Sequence, residues 1–187
     1  MERLIKDNSA NPGPIGLLGF GATTMLLNLH NAGLFELNNM IMVMGLFYGG
    51  IAQFVAGVLE NKKGNTFGST AFISYGSFWW TLVGIWVGNK YGIFPTDNIA
   101  IGSYMVVWGV ISLIFFIGTL NGSLIGKLVF GTLVALFAVL ALHFFYESAF
   151  LGHVAGYVGI TCASFAIYEA AAIILNEKYG KTVLPLG

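Results

Sequence analysis

The stretch NPGPIGLLGFGATTMLLNLHN, residues 11–31, has the features that decide the fold of this chain. Two prolines and a glycine come first, and an apolar run long enough for a helix follows them. Proline fits the first turn of a helix, because the N–H that it lacks would have no partner there. The run also contains side chains that need hydrogen bonds, namely Thr23, Thr24, Asn28 and Asn31. We therefore predict a helix that begins near Pro14 and has a polar face.

The composition is that of an integral membrane protein. Hydrophobic residues make up 57% of the 187 residues and charged residues only 9%, whereas a soluble domain carries about 25% charged residues. The formal net charge is zero, so no excess of positive charge is available to bind nucleic acid. Cys162 is the single cysteine and has no neighbours at metal-ligand spacing. We therefore expect neither a metal nor a cofactor.

Six segments are apolar enough for membrane-spanning helices, each of which needs about 20 residues. They are Pro14–Leu29, Met40–Leu59, Thr66–Val87, Ile99–Leu120, Leu128–Leu142 and Val154–Leu175. The first and fifth are short, and we expect them to extend to Asn31 and into the sequence HFFY at residues 143–146. The sequence thus predicts an all-α integral membrane protein with six transmembrane helices.

The basic residues predict the orientation of these helices, because Lys and Arg accumulate in cytoplasmic loops. Seven of the eight fall on one side of the predicted membrane: Arg3, Lys6, Lys62, Lys63, Lys127, Lys178 and Lys181. Only Lys90 falls on the other side. We therefore expect both termini to be cytoplasmic, with an N-terminal tail at 1–13, a transmembrane domain at 14–175 and a C-terminal tail at 176–187.

The first segment has a polar face along its length. Phe20, Thr24, Leu27, Asn28 and Asn31 recur at helical spacing and so share one side of the helix. Polar side chains are costly in lipid unless they face other helices or water. We therefore predict that this face lines a narrow water-filled path, and that Thr23 beside it also belongs to the substrate path. The N–H groups at the start of the helix would offer a partial positive charge to an anion at the mouth of this path.

The other segments have faces that suit close packing. In the second, Gly45, Gly49, Gln53 and Gly57 are four residues apart, which gives a groove with one amide in its middle. Small-residue stripes of this kind usually join helices, and we favour that interpretation for the glycines. Gln53 is a candidate for the substrate path.

Glu169 is the only charged residue within the six predicted segments. It lies about 9 Å from the predicted cytoplasmic end, at about 1.5 Å per residue. It can either reach the membrane interface or line an inner vestibule as a protonatable gate.

The three histidines, His30, His143 and His153, all fall at predicted outer ends of segments. Imidazole titrates near neutral pH, so these residues are candidate proton sensors. Placement at the membrane interface without a further role is the favoured alternative. Metal binding is the least favoured, because no two of them have the helical spacing of paired ligands.

Three stretches closely resemble the acetate uptake transporter family. They are residues 11–31, residues 44–80 (MGLFYGGIAQFVAGVLENKKGNTFGSTAFISYGSFWW) and residues 175–187 (LNEKYGKTVLPLG). Gly13 and Ile15 replace the alanine and leucine of the family signature NPAPLGL. The resemblance covers nearly the whole chain in one register.

The resemblance implies transport of acetate and other small monocarboxylates across the plasma membrane, with succinate as a substrate of some members. It also implies six helices around a pore in each subunit, and assembly as a homo-hexamer in the lipid bilayer. Phe20, Tyr75 and Leu133 would correspond to the narrow apolar constriction of the family. Ala166 would correspond to a pore-facing position on the last helix that influences substrate choice.

Several alternatives stay open. Transport can be channel-like or coupled to protons, which would then be a second transported species. A proton-gated channel for a neutral solute such as urea would use a similar small pore, and ammonium transport is a weaker alternative. We do not expect an enzyme, because no catalytic serine elbow, carboxylate pair or metal-ligand helix motif is present.

Overall fold

A computed structural model describes residues 9–187, and this part of the chain is helical without strands. It forms six helices: α1 (Gly13–Asn31), α2 (Asn39–Lys62), α3 (Thr66–Tyr91), α4 (Asn98–Thr119), α5 (Leu124–Tyr146) and α6 (Ala149–Tyr179). Each predicted segment is therefore a helix, and the all-α prediction is confirmed. Arg3 and Lys6, on which the predicted orientation partly rests, lie outside the described residues.

The helices are longer than the apolar segments that predicted them. Helix α5 begins at Leu124 instead of Leu128, and α6 begins at Ala149 instead of Val154. Serine side chains start both helices, because Ser123 Oγ accepts from Gly126 N at 3.0 Å and Ser148 Oγ accepts from Leu151 N at 3.4 Å. Hydrophobicity marks the part of a helix that suits hydrocarbon, whereas the capping residue marks where the helix begins.

Four helices, α2, α4, α5 and α6, are long and apolar enough to cross a membrane. Helices α1 and α3 are not among them. Both contain polar side chains that lie inside the helical assembly, such as Asn28 in α1 and Ser69 in α3. The mean hydropathy of a helix therefore underestimates its ability to cross a membrane when its polar residues face inward.

Helix α2 contains a π-helical segment, Met44–Gly50. Its glycines allow α3 to approach closely: a Cβ on Gly45 would lie 2.9 Å from the Trp79 ring. The Trp80 Nε1–H donates to Leu46 O at 3.2 Å within the same contact. The glycine stripe of this helix thus serves close packing, as predicted.

The helices form a ring in chain order. Helix α1 packs between α2 and α6, α2 packs against α3, and α5 packs between α4 and α6. Polar and aromatic contacts close the seam between α3 and α4, where Tyr75 Oη lies 2.9 Å from Ser112 Oγ and the Phe78 and Tyr104 rings stack at 5.8 Å. The ring arrangement places one face of every helix toward a shared interior.

The segment after α6 folds back over the ends of α5 and α6. Asn176 holds it, because its Oδ1 accepts from Val183 N at 2.6 Å and Leu184 N at 3.0 Å, while its Nδ2 donates to Leu184 O at 2.8 Å. The last carbonyls then accept from the first amides of α5. This segment therefore supports the end of the ring at which α1 begins.

Candidate functional site

A cavity of about 180 Å³ opens inside the ring, at the end where α1 and α5 begin. Its polar lining consists of Gln53, Glu60, Asn65, Tyr75 and Glu169, and we call it the glutamate vestibule. Its remaining walls are apolar side chains and a glycine of α1, α3 and α5.

A constriction separates this vestibule from a middle cavity of about 30 Å³. Phe20, Tyr75 and Leu133 line both cavities, and so stand between them. The Phe20 and Tyr75 rings are 5.8 Å apart, and all three side chains are buried. The three residues that the family resemblance assigned to a constriction therefore lie together at the narrow point.

The far end of the ring contains two larger cavities. One, of about 330 Å³, shares Leu27, Phe78 and Leu140 with the middle cavity. The other, of about 510 Å³, lies beside it and is lined by all three histidines, His30, His143 and His153. We call these two cavities together the histidine vestibule. The cavities thus follow one another along the interior of the ring, and the smallest of them lies in its middle.

Helix α1 contributes polar groups to successive parts of this path. Thr24 and Asn28 line the middle cavity, and Asn31 lines the histidine vestibule. The Asn28 Nδ2 donates to Thr24 O at 2.8 Å, and Asn31 Nδ2 donates to Asn28 Oδ1 at 3.1 Å. Thr23, which we also expected on the path, differs from this expectation and lies outside the lining of these cavities. It faces Gly49 of α2 and donates to Gly19 O at 2.6 Å.

Gln53 lines the glutamate vestibule, and one of its two polar atoms has no hydrogen-bond partner among the described residues. Its Nε2 donates to Gly49 O at 2.7 Å, which fixes the orientation of the amide. Its Oε1 has no hydrogen-bond partner among the described residues, although the side chain is fully buried. Buried polar atoms normally have partners, so this oxygen is an exception among the described residues.

The amides at the start of α1 are not available to an anion, and our prediction for them is wrong. Gly13 N donates to Asn11 Oδ1 at 2.9 Å, and Ile15 N donates to Pro12 O at 3.1 Å. Pro14 has no N–H. Nearby side-chain and backbone oxygens thus accept hydrogen bonds from the N–H groups that we expected to be available to an anion.

Glu60 is a site residue that sequence reasoning missed. It follows the predicted end of the second segment by one residue, yet it is buried within α2 and lines the glutamate vestibule. Its spacing from Gln53 and Gly57 continues one face of that helix and was the available signal. Glu169 lines the same vestibule, as one of its two predicted alternatives required.

Two of the three histidines contact backbone carbonyls. The Nδ1 atom of His30 lies 2.8 Å from Phe35 O, and that of His143 lies 2.8 Å from Ser148 O. A carbonyl oxygen only accepts, so Nδ1 is the donor in both contacts. Ala166 is fully buried in the apolar core, outside the lining of the cavities described above.

The profile of the GPR1/FUN34/yaaH family matches residues 1–186. The chain belongs to this family. A relative in Escherichia coli K12, the succinate-acetate/proton symporter SatP, is 53% identical over 179 residues, which are 95% of each chain. The ammonia transport outward protein 2 of Saccharomyces cerevisiae is 32% identical over 90% of this chain and 63% of its own length.

A solved structure extends the family likeness to the fold. The structure of the bacterial acetate channel SatP matches with a TM-score of 0.94 at 52% identity, covering 96% of this chain and all of that one. The resemblance found in the sequence is thereby confirmed. Family membership and the four strongly apolar helices identify a multi-pass membrane protein.

Proposed function

We propose that this protein carries acetate and related small carboxylates, succinate among them, through a pore within each chain. One observation supports this most strongly: a path of successive cavities narrows at Phe20, Tyr75 and Leu133. An apolar constriction of this kind suits a methyl group. The names of the similar proteins, a succinate-acetate/proton symporter and an acetate channel, agree with this substrate class.

The path offers weak polar sites on each side of the constriction. Gln53 lies before it, and Thr24 and Asn28 lie after it. No lysine or arginine is among the described residues that line these cavities. Permeation requires sites that are strong enough to admit a substrate and weak enough to release it. Ala166 would act indirectly, by supporting the wall of the path.

We also propose that all six helices span the plasma membrane. Helix α1 has 19 residues, which at about 1.5 Å per residue give about 28 Å, close to the about 30 Å of a hydrocarbon core. Its polar residues Thr24 and Asn28 are buried, so lipid does not meet them. The described basic residues support an orientation with both termini cytoplasmic; they are Lys62, Lys63, Lys127, Lys178 and Lys181. The tails are then residues 1–13 and 176–187, and the membrane domain is residues 14–175.

The outer surface suits a bilayer and an oligomer. Helix α4 exposes a row of apolar side chains, including Val107, Val110 and Ile114. A continuous row of exposed apolar side chains normally contacts lipid or another subunit. We propose a homo-hexamer in which each chain keeps its own path.

One observation favours a second candidate function. The glutamate vestibule offers acceptors without a cation, which suits a neutral solute with N–H donors such as urea. The experiment that separates the two is radiolabelled acetate uptake into proteoliposomes, with propionate and urea as competitors. We expect inhibition by propionate alone. Inhibition by urea together with urea uptake would replace the carboxylate proposal.

A further inference from the structure

A groove lies on the outside of the ring, between the start of α1 and the end of α6, and we call it the outer groove. Its volume is about 650 Å³, larger than that of each of the four cavities described above. Tyr48 of α2 closes one side of it, and the residues just before α1 close its end. The described residues that line it border none of the four inner cavities, so the proposed path does not use this groove.

The outer groove changes from polar to apolar along its length. Asn11, Glu177 and Lys178 lie at the end where α1 begins and α6 ends. Leu18 and Ile174 lie further along, and Leu18 comes five residues after the start of α1, which is about 8 Å at about 1.5 Å per residue. In the proposed orientation, the polar end is level with the lipid headgroups of the cytoplasmic leaflet and the apolar part is level with the acyl chains.

The polar end carries two opposite charges. Glu177 and Lys178 are adjacent and exposed, and neither forms an ion pair with another residue that the structure describes. A ligand with only a negative charge would be repelled by Glu177, and a ligand with only a positive charge would be repelled by Lys178. The pair therefore matches a ligand that has both charges.

Asn11 adds a hydrogen-bond donor to the same end. Its Oδ1 accepts from Gly13 N at 2.9 Å, so its NH₂ group is the part of the side chain that can bind a ligand. Ammonium and amide N–H groups donate to phosphate oxygens, whereas a carboxylate accepts from an ammonium group. Lys178 and Asn11 thus suit a phosphate, and Glu177 suits a primary ammonium group.

A second copy of the chain would match these charges less well. The exposed row of α4 that includes Val107, Val110 and Ile114 is apolar, and it would leave both charges of the outer groove without partners. A phospholipid combines two charges and a flexible apolar chain in one molecule. Ile15 and Ile174, which line the groove, are 45% and 43% exposed, so an acyl chain can cover them.

From this charge complementarity we propose that the outer groove binds one phospholipid whose headgroup carries a phosphate and a primary ammonium group. The phosphate lies against Lys178 and Asn11, the ammonium group lies against Glu177, and an acyl chain follows Leu18 and Ile174. The lipid then joins the start of α1 to the end of α6. The inference rests on the proposed membrane orientation and is independent of the transported substrate.

The test measures lipid binding to the purified full-length protein, freed of lipid in detergent, by native mass spectrometry. The probes are three dioleoyl lipids: phosphatidylethanolamine, phosphatidylcholine, whose quaternary ammonium group cannot donate a hydrogen bond, and phosphatidylglycerol, which has no ammonium group. We expect the wild type to bind phosphatidylethanolamine with the highest affinity. Equal binding of the three lipids by the wild type would overturn the inference, and this comparison needs no variant.

Three variants and one control locate the binding. Lys178→Ala is expected to weaken phosphatidylethanolamine binding about two- to fivefold, since it removes one exposed ion pair. Glu177→Gln is expected to lose the preference for phosphatidylethanolamine over phosphatidylglycerol. Leu18→Trp places a larger side chain in the apolar part of the groove and is expected to abolish binding. Lys181→Ala removes an exposed lysine outside the lining of the groove and should bind as the wild type does.

The outcomes separate this inference from the proposed function. Equal affinity of Lys178→Ala and Lys181→Ala for phosphatidylethanolamine would overturn the inference. A Leu18→Trp protein that changes its oligomeric state and still binds the lipid would assign the groove to a second copy of the chain instead. Acetate uptake by the wild type is measured in parallel. Its absence would remove the proposed function and leave the inference standing, whereas uptake together with equal binding of the three lipids would remove the inference alone.

Discussion

Replacing Tyr75 with alanine removes one of three walls at the narrowest point of the path. The Tyr75 ring lies 5.8 Å from Phe20 and 5.7 Å from Phe115, and only 4% of the residue is exposed. Its loss would join the vestibule of about 180 Å³ to the middle cavity of about 30 Å³. We expect Tyr75→Ala to admit larger carboxylates than the wild type does.

The magnitude of this effect follows from the chemistry of an apolar pocket. One methylene more or less changes discrimination by about 1–3 kcal/mol, or about 10–200-fold. We therefore expect the butyrate-to-acetate uptake ratio of Tyr75→Ala to rise about tenfold or more. Truncation of a buried aromatic residue also lowers the free energy of unfolding, by about 3–5 kcal/mol. Uptake must accordingly be normalised to folded, reconstituted protein.

Two variants control this experiment. Tyr75→Phe keeps the ring and loses only the hydrogen bond to Ser112 at 2.9 Å, so we expect the wild-type ratio and a loss of about 1 kcal/mol in stability. Tyr157→Ala removes an exposed ring of α6 and should leave the ratio unchanged. The assay is parallel uptake of labelled acetate and butyrate. A Tyr75→Ala protein with wild-type flux and ratio would show that Tyr75 does not border the path.

Three further perturbations test other parts of the account. Gly159→Ala would place a methyl group on the Asn28 amide, and we expect the free energy of unfolding to fall by about 1–3 kcal/mol. Gly84→Ala, with open space around the added methyl group, should leave the free energy of unfolding unchanged. Asn176→Ala breaks three hydrogen bonds to the C-terminal segment, and faster proteolysis of that segment is expected, whereas an unchanged rate would refute its role. Imidazole is the side chain that changes charge near neutral pH, so we expect a triple glutamine variant of His30, His143 and His153 to lose the pH dependence of acetate uptake. A retained pH profile would make these three interface residues only.

The sequence predicts the helices well because their apolar runs are long. All six exist, yet α5 begins at Leu124 and α6 ends at Tyr179, beyond the residues that apolarity marks. The π-helical segment Met44–Gly50 has no periodic signal, since it depends on how α2 packs against Trp79 and Trp80 of α3.

The candidate site is only partly visible in the sequence. Helical spacing places Thr24 and Asn28 on one face of α1, and both line the middle cavity. The same spacing cannot show that Thr23 turns toward α2. Glu60 escaped detection because it lies beside an apolar run, where charged residues usually meet water. Its burial by α3 and its hydrogen bond from Asn65 are tertiary contacts, which the local sequence pattern does not predict.

The central claim is that acetate passes through the constriction within each chain. Its most direct test compares acetate uptake by proteoliposomes of the wild type and of Leu133→Trp, whose larger side chain would fill the gap beside Phe20 and Tyr75. We predict saturable uptake in the wild type that propionate inhibits. We also predict that the Leu133→Trp protein remains folded and loses uptake. Equal uptake by both proteins would contradict the claim.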